Sequence, residues 1–362
     1  MKTAFYAKLA IAFVCVSTCY SQSITLPPAP AGIETFTLHG LQFSNVQTGA
    51  IADFVPPADQ PYPSVGRPVG GGTWNFGIAR TELTQGSAIE LPNAFYDVAV
   101  PQDAPWAFRM NTLLSGLGSI GPGVFGGPVG PQGRRRWTAT AQGAALPASA
   151  TGFFQAAAYC NWLHNDKQVT LDALLQGAYD LRNWNDAQPS TFFVDRSPNA
   201  RFFLPTYDEW AVATFYDTDR HGVGSGGWWL SMYGKDTLPV GGAPGVGETS
   251  VGWAPSDDPF AWAYLPVGAY ATSQSPWGLF DTSGTDSEFL ETREPGVAGP
   301  MGAGAQGGEV LFVENTWPDY LGHFALVGRG NFRVATSVPS PGTVLAFAAM
   351  VVIAQSRRRG RR

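Results

Sequence analysis

Phe203-Leu204-Pro205-Thr206-Tyr207-Asp208-Glu209-Trp210 is the stretch on which the fold reading turns. Thr206 and Glu209 stand at the spacing of a capping box: the threonine hydroxyl accepts from the Glu209 amide, and the Glu209 carboxylate accepts from the Thr206 amide. A helix is therefore expected to start here, with Trp210, Ala213 and Thr214 on one face. Asp208 and Glu209 sit in its first turn, where the helix dipole favours negative charge, so they read as helix-start residues before they read as a catalytic pair. Working outward, a second helix is expected from Gly152 to His164, with Thr151 as N-cap and Phe154, Ala158 and Trp162 recurring on one face. Short β-like runs at Glu34 to Leu38 and Trp74 to Ile78 are broken by Pro and Gly, and Gly116 to Gly133 and Gly222 to Gly247 read as long surface loops. The pattern is that of an α+β chain, loop-rich, with few helices and short strands.

Composition supports this. The 362 residues include 44 Gly and 29 Pro, while charged residues make up only 14%. A helical bundle needs more charge and fewer breakers. Aromatics reach 13% with 12 Trp, enough to bury a core, which argues against long disorder. Seven of the 22 basic residues lie in the two terminal segments, where no acidic residue lies; the remainder has 15 basic against 28 acidic groups, a net charge of −13. A body this acidic is a poor partner for nucleic acid or anionic membranes.

Both ends read as addresses. Residues 1–21 carry Lys2 and Lys8, an apolar run from Leu9 to Val16, and a small polar stretch ending at Ser21, the pattern of a secretory signal peptide. Lipidation at Cys19 is the alternative. Cleavage after Ser21 removes Cys15 and Cys19 and leaves Cys160 without an intramolecular disulfide partner. Residues 338–362 run from Val338-Pro339-Ser340-Pro341-Gly342 through apolar Thr343 to Ala354 into Arg357, Arg358, Arg359, Arg361 and Arg362. The apolar stretch falls short of the roughly 20 residues a spanning helix needs. It is either a short tail anchor held by its arginines or a sorting signal. The order of motif, apolar helix and terminal arginines resembles the PEP-CTERM signal, with VPSPG in place of VPEPG. That resemblance implies membrane contact only through the tail, its removal by an exosortase-type protease, and a body at the cell surface or outside the cell.

Between these ends several chemistries find no support in the residues. Gly222 to Gly227 and Gly302 to Gly307 satisfy GxGxxG, but neither follows a strand and opens a helix as a phosphate loop must. His39, His164, His221 and His323 form no metal-ligand spacing. No GxSxG elbow presents a serine nucleophile. Cys160 lies mid-helix and reads as a small buried hydrophobe. Asp281-Thr282-Ser283-Gly284-Thr285-Asp286-Ser287-Glu288 is different: three carboxylates around a glycine turn supply hard oxygen donors. By its residues alone it is either a solvated polar turn or a calcium loop.

Taken in order, the motifs resemble the formylglycine-generating enzyme, or sulfatase-modifying-factor, family. Phe76-Gly77-Ile78-Ala79-Arg80-Thr81-Glu82-Leu83-Thr84 is similar to the family's opening IGKYEVT strand. Ala156 to Asn165 is similar to its NWL helix, and Phe203 to Trp210 to RLPTEAEW. Ser275-Pro276-Trp277-Gly278-Leu279-Phe280-Asp281 and Gly284 to Phe289 resemble pNpyGLyDMxGNVWEW, and Gly330-Asn331-Phe332-Arg333-Val334-Ala335 the closing GFRVA. The resemblance implies a C-type-lectin-like fold over residues 70–337, preceded by a strand and loop lead-in at 22–69. It implies structural calcium on the side chains of Asp281 and Glu288 and the carbonyls of Gly284 and Asp286, with Asp258 and the Phe260 carbonyl at a second site. The family's oxidase chemistry needs a cysteine pair that binds copper, and Gly307 to Arg333 contains no Cys, so no copper is expected. The His cluster of the related iron enzymes is missing too. What remains is a non-catalytic binding or structural module, with a formylglycine-generating-type oxidase or other divergent enzyme as the alternative. Trp228, Trp229, Tyr233, Trp253 and Trp262 either stack on an extracellular polysaccharide or surface protein or belong to the core.

Overall fold

The computed structural model describes residues 24–54, 69–116, 121–148, 152–185, 194–229, 231–237, 239–250, 265–284, 288–292, 302–303 and 330–337. In chain order the elements are β1 (Thr35–Leu38), β2 (Leu41–Gln47), β3 (Asn75–Ala79), α1 (Gln85–Ala88), α2 (Glu90–Ala94), α3 (Ala107–Ser115), β4 (Val124–Val129), β5 (Arg135–Ala139), α4 (Ala141–Ala144), α5 (Phe153–His164), α6 (Leu171–Leu175), β6 (Phe202–Phe203), α7 (Tyr207–Phe215), β7 (Tyr216–Asp217), β8 (Gly227–Trp228), β9 (Glu288–Phe289), β10 (Gly302–Ala303), β11 (Asn331–Phe332) and β12 (Ala335–Thr336). The protein is thus α+β and loop-rich, with short strands and few long helices.

The main sheet has the order β1-β2-β3-β12-β6. β1 and β2 form a hairpin, β3 pairs with β2 over Phe43↔Ala79 to Gln47↔Asn75, and β12 inserts between β3 and β6. The N-terminal lead-in therefore shares a sheet with the closing strand of the chain. A three-stranded sheet, β10-β9-β11, lies close in sequence to that closing strand, with β9 and β11 parallel. One core joins these parts: Phe43, Val46, Phe76, Ile78, Phe202, Phe203, Phe332 and Ala335 from strands, with Phe154, Ala158, Trp162 and Leu163 from α5.

Helix α5 is buried along its whole length from Phe153 to Leu163, so it is a core helix rather than one with a wet face. Its N-cap is Gly152, which makes no side-chain capping bond, and the expected cap Thr151 lies outside the described residues. The capping box before α7 is present with both bonds: Glu209 N–H to Thr206 Oγ1 at 3.1 Å and Thr206 N–H to a Glu209 oxygen at 2.7 Å. The Gly116–Gly133 stretch, expected to be loop, contains β4. Val124 and Phe125 pair with Ala139 and Thr138, and an irregularity between Gly126 and Val129 absorbs the glycine and proline residues. The short helices α1, α2, α4 and α6 carry too few turns to leave a period in the sequence, and α3, though as long as α7, has no side-chain N-cap to announce it.

Asn161 fastens α5 to α6 and to the loop that follows it. Its Nδ2 donates to the carbonyls of Leu174 and Tyr179, both at 2.9 Å, and its Oδ1 accepts from the Tyr179 amide at 2.8 Å. All of this is buried, so the side chain does for the loop what a neighbouring strand would do. Asn161→Ala is expected to lower stability by about 2–4 kcal/mol, because it leaves buried backbone groups unpaired. A urea midpoint within error of the parent would show that the loop finds other partners.

Candidate functional site

Arg333 is fully buried between β11 and β12. The parallel register of β11 and β9, Asn331↔Glu288, brings Glu288 beside it. Nε of Arg333 donates toward both Glu288 oxygens at 3.2 Å, and Nη2 donates to Oε1 at 2.7 Å. Nη1 donates to the Ala79 carbonyl and Nη2 also to that of Phe280, both at 2.9 Å. Trp210 Nε1 donates to Glu288 Oε2 at 3.0 Å. Burial alone drives a guanidinium toward its neutral form, but the adjacent Glu288 carboxylate overcomes this and holds Arg333 above the usual arginine range.

Close to this pair lies Asp281, in the left-handed region at φ 56°. Its Oδ2 accepts from the Gly268 amide at 2.6 Å. Burial pushes its carboxyl up to about 6, against the pull of the Gly268 amide and Arg333. The neighbouring chain is rich in buried hydroxyls: Thr282, Ser283, Thr249, Ser250 and Tyr233. Thr249 Oγ1 and Ser283 Oγ are 3.1 Å apart, and Thr282 Oγ1 is buried with no hydrogen-bond partner among the described residues. Gly284, at φ +81°, fits tightly: a Cβ there would fall 2.3 Å from Ser250 Oγ. Backbone sign and space both require glycine.

These observations divide the expected calcium ligands. Asp281 and Gly284 lie in an oxygen-rich, desolvated setting that suits a hard cation. Glu288 has both oxygens committed to Arg333, so it would serve a cation only by releasing the guanidinium. Asp286, like Asp258 and Phe260 of the second expected site, lies outside the described residues. Among the described residues, no three His, Cys, Asp or Glu side chains come together as a metal-binding group.

A second charged network lies under the start of α7. Arg196 donates to Glu209 at 3.1 Å and to Glu291 Oε1 at 3.1 Å, and its guanidinium lies 3.9 Å from the Phe203 ring centroid. Tyr179 donates to Glu291 Oε2 at 2.7 Å and accepts from the Leu204 amide at 2.8 Å. Two carboxylates share one guanidinium here. Burial therefore outweighs the pull of Arg196 and the Tyr179 hydroxyl, and Glu291 is pushed up to about 7, helped by the charges of Glu209 and Asp195. Glu209 thus caps the helix and also takes part in a partly buried ion pair, which the capping signature alone did not disclose.

Cys160 is fully buried, and burial, with the Glu291 charge second, pushes its thiol well above the ordinary range. It carries no thiolate at neutral pH. Of the aromatic residues singled out in the sequence, Tyr233 is buried in a second hydrophobic cluster with Trp210 and Phe215. Trp228 packs edge-on to Tyr216 with centroids 5.2 Å apart. Trp229 donates to Asp217 at 3.1 Å and lies under Arg220 at 4.6 Å. Trp253 and Trp262 lie outside the described residues. The glycine stretch at 222–227 runs into strand β8 and not into a helix. Sequence reading gave no hint that His39 and His164 meet near one carboxylate: His39 Nε2 is 3.7 Å from Asp166, while His164 Nδ1 accepts from the Arg201 amide at 3.1 Å and Arg201 reaches Asp166 at 3.0 Å. His39 and Arg201 lie too far from Asp166 in the chain to leave a motif.

Arg333→Met strands the Glu288 carboxylate in the core and is expected to cost about 3–5 kcal/mol, part of which Glu288→Gln restores in the double variant. Additive losses in urea unfolding would separate the two residues energetically. Glu291 gives a pH test. Its native carboxyl is raised from 4.5 to about 7, so the native state holds the proton more tightly. The stability it contributes is full below the unfolded value and is lost as pH rises through about 7. Relative to Glu291→Gln, the parent should therefore lose about 3 kcal/mol between pH 4 and pH 8; a difference that stays flat with pH excludes the raised carboxyl.

No family model matches this chain, and no curated protein matches it. Among solved structures, the crystal structure of CarF is 18% identical with a TM-score of 0.42, covering 82% of this chain and 99% of that one. Treponema denticola variable protein 1 is 18% identical with a TM-score of 0.41, covering 85% and 99%. Both superpositions are loose, and no residue role is carried over from either.

Proposed function

We propose that this chain is an exported, surface-sorted protein whose body is a sulfatase-modifying-factor-like, C-type-lectin-like module without oxidase chemistry, acting as a binding or structural unit. The observation that carries this reading is the place of Cys160. It is the one cysteine outside the leader, it sits in the middle of a core helix, and its thiol is held protonated. Copper-dependent oxygen activation needs paired thiolates at an accessible site, and Gly307 to Arg333 supplies none. The buried carboxylates point the same way. Glu288, Glu209 and Glu291 are committed to guanidinium groups that hold the fold together, as structural charges are.

Calcium enters this reading as a structural ion drawing on Asp281 and the Gly284 carbonyl. Its positive charge would stabilise the ionised form of a carboxyl that burial disfavours. The exterior of the cell supplies both the ion and the partners that suit such a module, an extracellular polysaccharide or a surface protein. The tail would be the only membrane contact until an exosortase-type protease removes it.

One set of measurements on the purified protein tests the reading. Metal analysis after exposure to copper(I) should find no stoichiometric copper, with no oxygen uptake on a cysteine-containing peptide. Bound copper with uptake overturns it in favour of an oxidase. Adding calcium to the EDTA-treated protein should raise the melting temperature, and Asp281→Ala should remove that rise; a rise that persists in the variant places the ion elsewhere.

A further inference from the structure

Residues 24–30 run without regular structure across the body ahead of β1. Their sequence, Ile24-Thr25-Leu26-Pro27-Pro28-Ala29-Pro30, sets their conformation. Each proline fixes its own φ at about −65° and pushes the residue before it into extended backbone, so Leu26 to Pro30 are all confined to the polyproline region. Over residues 24–29, Thr25 and Pro28 are exposed while Ile24, Leu26, Pro27 and Ala29 are half-buried. Exposure at every third residue is the repeat of a polyproline II helix, which has about three residues per turn.

The body holds this strap as a receptor holds a peptide. Gln42 Nε2 donates to the Ile24 carbonyl at 2.9 Å, and Arg80 Nη2 to the Pro27 carbonyl, one turn further on, at 2.8 Å. Gln274 Nε2 donates to the Pro28 carbonyl at 3.2 Å. Among the described residues, no backbone–backbone hydrogen bond reaches residues 24–29. Two glycines make room for the strap: a Cβ on Gly268 would fall 2.9 Å from Leu26 Cδ2, and one on Gly278 2.9 Å from Ala29 Cβ. The packing is not that of a core. A cavity of about 60 Å³ is lined by Ile24 and Leu26 of the strap and by Leu41, Leu83 and Val334 of the body, whereas close-packed interiors leave few voids larger than a water molecule. The strap leaves the groove through a single turn, where the Ile33 amide donates to the Pro30 carbonyl at 3.1 Å.

We propose that Gln42, Arg80 and Gln274 line a recognition site for an extended proline-rich segment, which the strap fills in cis, and that the site takes the strap of a second copy by exchange. Donors that meet carbonyls one turn apart, beside a slot for the apolar residue before Pro-Pro, select a backbone already held extended, so little conformational entropy is lost on binding. The segment seated in the groove identifies the occupant: a second copy carries the same residues and makes the same bonds in trans. Exchange breaks only the Pro30–Ile33 turn bond and keeps every groove contact, which is why swapping is a low-cost route to dimers. Reciprocal exchange fills both grooves, so assembly closes at two chains. The tethered strap competes at an effective concentration on the order of millimolar, so the parent stays monomeric in dilute solution, and exchange needs crowded chains or an undocked strap. Neither a lectin-like fold nor calcium is required for this.

Two variants of the full chain, mixed and followed by sedimentation velocity, test the exchange. Gly278→Leu fills the space of Ala29 and Pro30 and frees the strap; Gln42→Ala/Gln274→Ala serves in its place if that change impairs folding. Leu26→Gly/Pro27→Gly/Pro28→Gly loosens the strap and vacates the groove. Each variant alone should sediment as a monomer at micromolar concentration, and the equimolar mixture as a one-to-one complex. A labelled peptide of residues 22–31 should bind the strap variant, fail to bind the groove variant, and dissociate the complex when added in excess. A mixture that stays monomeric overturns the second copy as occupant, and peptide binding in that case turns the groove over to proline-rich segments of other polypeptides. A peptide that binds neither variant, or both alike, overturns the groove itself.

Discussion

The Arg333–Glu288 pair is the constraint on which the rest of the structure depends. One guanidinium holds the Glu288 carboxylate of β9, the Ala79 carbonyl at the end of β3 and the Phe280 carbonyl before the Asp281 turn, and Trp210 of α7 closes on the same carboxylate. Taking two charges out of water is costly, and the cost is offset only when each remaining donor and lone pair finds a partner. Here that requirement fixes where the closing strand, the main sheet, helix α7 and the Asp281 turn stand relative to one another.

The same device recurs elsewhere in this loop-rich protein. Long stretches without regular structure leave backbone carbonyls that no ladder can serve, and buried or half-buried side chains take over. Arg80 donates to the carbonyls of Gly278 and Pro27, Arg134 to those of Phe95 and Val98, and Asn165 to those of Ala173 and Gln176. Three arginines of the body are thus 3%, 2% and 0% exposed, spent on carbonyls and one carboxylate rather than on the surface. That removes positive charge from the exterior and deepens the acidity already present in the composition.

Legibility in the sequence followed the range of the interaction. The capping box at Thr206 and Glu209 was readable because its partners are three residues apart, and α5 because its aromatics recur at helical spacing. Asp281 and Gly284 were readable as a turn with oxygen donors. That Glu288 is committed to Arg333 was not, because that pair is set by a strand register between segments far apart in the chain. The sharing of Arg196 between Glu209 and Glu291, and the meeting of His39 with Asp166, have the same origin. The β4 strand was hidden for a different reason: its glycines and proline read as loop, and only pairing with Arg135 to Ala139 makes it a strand.

By itself the sequence determined the local chemistry: an α+β chain rich in loops, a helix starting after Thr206, few cysteines and an acidic balance. The tertiary structure decided which charges are spent. It placed Glu288, Glu209 and Glu291 on guanidinium groups inside the protein, set Asp281 in a dry, hydroxyl-rich turn, and left Arg135 and Arg136 on the surface. The physical reason is that desolvation and charge pairing depend on what surrounds a group in space, and a sequence records only what surrounds it along the chain.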